Sequence, residues 1–230
     1  MKVWVYVEGP SDRIALEALM KQWKNELLGK NIHLTFLPLG GKDAFFKHLG
    51  PRAARNLVDN DHDLVVGLPD LYPCAKYQST PWAHDDCDSL KRVQERLVRQ
   101  SLIKDFRVSQ ESVPVHLKRL FTSALKHDLE MLLLASREQL RTTLGTNDRL
   151  GKWVHPVENQ DQQSPPKRIV EELFRVHKKQ RYCDTVHAAI VLRKVEDIGD
   201  ILKNESGQLQ CPVFKEMIDW IGQKTGVTAY

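Results

Sequence analysis

No apolar run in this 230-residue chain approaches the roughly 20 residues that cross a bilayer. The first such run, Val3 to Val7, is five residues long, shorter than the about 7–15 of a signal peptide. The expectation is a cytoplasmic protein with no membrane association. Cysteine is scarce: Cys74, Cys87, Cys183 and Cys211 contain no Cys-x-x-Cys pair. His84 and Cys87, with Cys74 ten residues before, sketch a zinc site, but a structural site needs four ligands, usually in two close pairs, and one pair is present, so reduced thiols are the reading. No Ser stands in a Gly-x-Ser-x-Gly elbow. Between Gly145 and Lys152 a phosphate loop fails because Trp153 stands where a magnesium-binding hydroxyl belongs. Strong charge of one sign is also lacking, since 34 Lys/Arg against 30 Asp/Glu leaves +4. That is too little to demand a polyanionic partner.

What is present suits a globular α/β protein, with 41% hydrophobic and 28% charged residues. Val3 to Val7 is β-branched and aromatic without polar alternation, the pattern of a strand buried on both faces. It ends in Glu8-Gly9-Pro10-Ser11-Asp12, where Ser11 is expected to cap a helix and Asp12 to sit in its first turn. Ile32 to Leu39 reads as a second strand, followed by Gly40-Gly41-Lys42. Asp43 then caps a helix over Ala44 to Leu49, with another near Ala53 to Val58. Asp63 to Leu68 is a third strand that delivers Asp70, and Pro73 to Asp88 is a long loop with Asp85, Asp86 and Asp88 in reserve. Ser89 to Leu102 reads as a helix and Ser112 to Leu117 as a strand. His127 and Glu130 share one face of the helix that follows. From Arg137 the expectation is helical, with helices over Lys167 to Gln180 and Pro212 to Gln223 and an extended connection from Pro156 to Pro166. The predicted organisation is an α/β core over 1–140 and a helical extension over 141–230.

Ligands of open α/β sheets bind at the carboxyl ends of the strands. Glu8, Asp12, Asp70 and Glu130 are the carboxylates that such a fold can bring together there, and hard oxygen ligands select Mg2+ or Mn2+. Taken singly, Asp12 is an ordinary first-turn acid and Asp70 a turn former; the set is what carries information. Pro165 to Lys194 holds eight Lys/Arg against three Asp/Glu, a footprint for nucleic acid or simply a solvated helix surface.

Val-Glu-Gly-Pro-Ser-Asp before an amphipathic helix resembles the opening motif of TOPRIM domains, in the variant of OLD-type nucleases. The resemblance extends to a bacterial TOPRIM-like family often encoded beside ATPases and tied to phage defence or mobile elements. Its landmarks are Gly40-Gly41-Lys42, Asp70-Leu71-Tyr72, residues 127–133, residues 164–168 and residues 211–214. It implies a mainly parallel TOPRIM-like sheet flanked by helices, with a mainly helical C-terminal extension. The implied activity is metal-dependent cleavage of nucleic acid, DNA ahead of RNA, with an ATPase as protein partner. Glu8 is then a metal ligand or general base, Asp70 and Glu130 are ligands, and Asp12 supports them. His127 orients Glu130 or meets the scissile phosphate, while Lys42, Lys167 and Arg168 position the backbone. The chain departs from the family in one respect: the Asp-x-Asp pair after the third strand has a single acid, Asp70. That leaves open a one-metal enzyme, replacement of the lost ligand by Glu130, or a degenerate module that binds an ATPase or nucleic acid. A small-molecule phosphohydrolase on the same edge is a third reading.

Overall fold

The computed structural model describes residues 1–204 and 206–230. Four strands, β1 (Lys2–Val7), β2 (His33–Pro38), β3 (Leu64–Leu68) and β4 (Leu120–Thr122), form one all-parallel sheet in the order β2-β1-β3-β4. Because β1 is central, its side chains meet apolar layers on both faces, which is why its sequence does not alternate. Val3, Val5 and Val7 face one cluster with Leu34, Phe36 and Val66, while Tyr6 and Val65 face the other.

The first face is covered by α1 (Pro10–Leu19) and α2 (Lys21–Gly29), and the second by α3 (Lys42–Asp59) and α4 (Cys87–Lys104). Helix α3 is continuous where the sequence suggests two pieces, and Pro51 sits inside it. Gly50 lies so close to α4 that an added Cβ would stand 2.8 Å from the Leu97 carbonyl oxygen. The segment Ser112 to Leu117, expected as a strand, instead contains the short helix α5 (Val113–Leu117). Pro114 suits a first helical turn, and the fourth strand forms only three residues further on.

The remaining helices are α6 (Glu130–Ala135), α7 (Arg137–Leu144), α8 (Pro166–Leu173), α9 (Ala189–Leu192), α10 (Gly199–Leu202) and α11 (Pro212–Thr225). A wider π-type turn, Phe174–Lys178, replaces the second half of the helix expected over Lys167 to Gln180, and a second such turn, Asp184–Ala188, follows it. Side chains from this last third, among them Phe174, Val191, Phe214 and Ile221, join the same apolar cluster as Val3, Val5 and Leu16. The polar connection before α8 is anchored by Glu158, which is fully buried. Its two oxygens accept from the Val213 and Phe214 backbone N–H groups, 2.9 and 3.0 Å away, at the start of α11. No helix among the described residues is long and apolar enough to cross a membrane.

Candidate active site at the carboxyl edge of the sheet

Parallel pairing sends every strand end to one edge, and the crevice of such a sheet opens where neighbouring strands send their chains in opposite directions. Here that place lies between β1 and β3. Glu8 follows β1, and Asp70 follows β3 in a bridge to Leu125 that prolongs the sheet. The Asp70 backbone N–H donates to Glu8 Oε1 at 3.1 Å, so the two carboxylates are neighbours.

The entry to α1 differs from the expected Ser11 cap. Gly9 is the extended N-cap, Pro10 opens the helix, and the Asp12 carboxylate accepts from the Gly9 N–H at 2.8 Å. Asp12 is thereby turned back towards the strand end and is only 7% exposed. After β2, Gly40 and Gly41 adopt φ of 94° and 97° and both donate to the Glu8 carbonyl oxygen, at 2.9 and 2.7 Å. Side chains rarely adopt such φ values, which explains the paired glycines. The turn delivers Lys42 to the interior, where its ammonium donates to the Leu71 carbonyl at 2.6 Å. At 7% exposure Lys42 serves as an internal counter-charge to Glu8, not as the surface contact expected of it. Asp43 does not cap α3 either; its carboxylate takes Lys76 and the Tyr77 hydroxyl, both at 2.7 Å.

Beyond β4 the chain turns through Asp128 into α6, led by Glu130, which is 2% exposed. Lys167 reaches this end from α8, 3.3 Å from Asp184 Oδ2 and 3.9 Å from Glu130 Oε1. The acids therefore form a row: Glu8, Asp70 and Asp12, then Asp128, Glu130 and Asp184, with Lys42 near one end and Lys167 at the other. Burial raises the Glu8 carboxyl to about 7; Lys42 opposes the shift and Asp12 adds to it. Burial likewise raises Asp128 to about 7, with Glu130 adding. Asp70 is lifted well above the carboxylate range by burial and then by Glu8, Asp12 and Asp128. Asp12 and Glu130 are raised mainly by burial. Burial lowers Lys167, but Glu130 and Asp184 outweigh it and hold the ammonium charged.

Three carboxylate oxygens in this row, Asp70 Oδ1, Asp128 Oδ1 and Glu130 Oε1, are buried without a hydrogen-bond partner, and the Tyr182 hydroxyl faces Glu130. Buried oxygens of that kind are costly unless something pairs with them. Among the described residues no three His, Cys, Asp or Glu side chains stand close enough to hold one ion in common. The donor set still fits magnesium or manganese, which take one or two carboxylates and keep several waters.

Other expected residues fall outside the row. His127 precedes α6 instead of sharing its face; it packs against Tyr72 at 5.4 Å, and burial followed by Lys126 lowers its pKa. Arg168 is exposed on α8. Asp86 caps α4 through the Ser89 N–H at 2.6 Å, and both ring nitrogens of His84 face backbone carbonyls, of Trp82 and Leu71. Asp128 and Asp184 were missed in the sequence. Asp128 stands one residue from the noted His127, and Asp184 has no local pattern to mark it.

No family model matches the chain, and no curated protein matches its sequence. Two solved structures of the C-terminal region of the Xanthomonas campestris pv. campestris OLD protein, phased with mercury and with platinum, are similar to it. The identities are 14% and 16%, the TM-score is 0.42 for both, and the match covers 86% of this chain and 87% and 85% of theirs. A likeness this distant carries no argument about activity, metal or partner.

Proposed function

We propose that this chain is a magnesium- or manganese-dependent phosphodiesterase acting on nucleic acid. The observation that supports this reading is the buried row of carboxylates at the strand ends, with unpartnered oxygens on Asp70, Asp128 and Glu130. One or two carboxylates drawn from Asp12, Asp70, Asp128 and Glu130 would hold the metal, with water completing its shell. A bound divalent ion supplies Lewis acidity towards a phosphoryl oxygen and a nucleophilic water at neutral pH. Glu8, poised near 7, accepts the proton released by the attacking water. Lys167, held charged and partly exposed between Asp184 and Glu130, faces the negative charge of a bound phosphodiester. Lys42 keeps Glu8 from being wholly protonated at neutral pH.

The test is cleavage of plasmid and single-stranded DNA with magnesium or manganese. Wild type is expected to cleave, and Glu8→Ala and Asp70→Asn to lose at least about a hundredfold in rate, the scale of a lost general base. Activity that persists in Glu8→Ala, or in excess chelator, would sink the reading. A second reading, a module that binds nucleic acid or an ATPase without cleaving, is favoured by one observation: no three acids among the described residues converge on a point. It predicts no turnover with either metal.

A further inference from the structure

If the acid row cleaves a phosphodiester, the strand beyond the scissile group needs a place to lie, since Lys42 is engaged inside the row and Lys167 alone faces that group. Basic residues without an ion pair occur close by. Between Arg175 and Arg181 the chain carries four Lys/Arg and one His with no acid. Lys178, Lys179 and Arg181 are exposed, whereas Arg175 is paired with Glu172. These residues sit on a knuckle formed by the two π-type turns, and its neck is closed by Phe174 stacked on His187 at 4.7 Å. The His187 ring also accepts the Cys183 N–H at 2.8 Å, and Tyr182 packs on Phe174 at 5.2 Å. The loop is thus held in shape before anything binds.

A cleft of about 730 Å3 opens beside it, lined among others by Glu171, Arg175, Lys179, Arg181 and Tyr182. That volume lies within the roughly 300–1,000 Å3 of ligand clefts. Tyr182 forms its wall and, in a side chain 5% exposed, turns its hydroxyl towards Glu130. We infer that this cleft binds the phosphate backbone of a nucleic-acid strand, with Lys179 and Arg181 as phosphate contacts and Tyr182 as the partition between strand and acid row. This rests on the nucleic-acid reading above. Lys178 continues the basic line beyond the cleft, which suits a repeating polyanion better than a single phosphate.

The experiment is fluorescence anisotropy of a labelled single-stranded oligonucleotide in chelator, so that binding is measured apart from cleavage. Lys179→Glu with Arg181→Glu is expected to weaken binding about tenfold or more. The slope of log affinity against log salt should flatten by about 1.4, at about 0.7 for each lost single-strand contact. Lys30→Glu with Lys104→Glu, the same charge change on exposed positions elsewhere, is expected to cost less than about twofold. Circular dichroism checks that both pairs stay folded. Equal losses in the two double variants, wild-type affinity in the first, or no binding by wild type would overturn the cleft. Binding through the cleft without metal-dependent cleavage would instead remove the cleavage reading and leave the cleft standing.

Discussion

Glu8 and Asp128 are each raised to about 7 by burial among other acids, so both still carry protons at pH values where the unfolded chain has lost them. Folding then takes up protons, and the stability these groups contribute is full below about pH 4 and lost as pH rises through about 7. His127 and His187, lowered by burial, push in the opposite direction over part of that interval. A difference between proteins removes their effect. Asp128→Asn is expected to gain melting temperature relative to wild type as the pH of metal-free protein goes from 5.5 to 7.5. A gap that is flat or shrinks over that interval would contradict the assignment. Manganese must displace the same protons, so it should raise the wild-type melting temperature more at pH 7.5 than at 5.5.

At the scale of elements, legibility followed the range of the forces involved. The strands at Val3 to Val7 and Asp63 to Leu68 were readable because burial on both faces leaves an uninterrupted apolar run. The turn at Gly40-Gly41 was readable because positive φ selects glycine. Ser112 to Leu117 misled because Val113 and Val115 look like strand residues, while Pro114 marks the helix start that forms there. Glu158 lies in a polar connection that nothing in the sequence distinguishes, yet it holds the entry of α11 by two hydrogen bonds. Glu158→Ala is expected to cost about 2 kcal/mol in urea unfolding, the scale of a lost cap with charged hydrogen bonds. Glu158→Gln keeps one acceptor and should cost less. Equal stability of all three proteins would show that α11 does not depend on this contact.

For the molecule as a whole, the sheet predicted its own carboxyl edge but not what closes it. Glu8 and Asp70 could be assembled from strand ends and Asp12 from the first turn after one, whereas Tyr182 and Asp184 arrive through two wide turns that no local periodicity announces. The last third of the chain also completes the apolar layer over Val3, Val5 and Leu16. A chain ending at Leu144 is therefore expected to unfold without cooperativity and to bind a hydrophobic dye. A sharp melting transition in that shortened chain would refute the dependence.

The route by which Lys167, Tyr182 and Asp184 reach the acid row has a consequence for synthesis. Chains emerge amino end first, and domains tend to form in that order. The segments that carry β1 and β3 leave the ribosome well before α8 and the knuckle, but the apolar layer over Val3, Val5 and Leu16 is completed only by the late segments, so Glu8 and Asp70 are held together only once Lys167 and Tyr182 have been made. The same late segments supply the counter-charge and the basic cleft. The acid row and its counter-charge are thus completed together, when translation is nearly over.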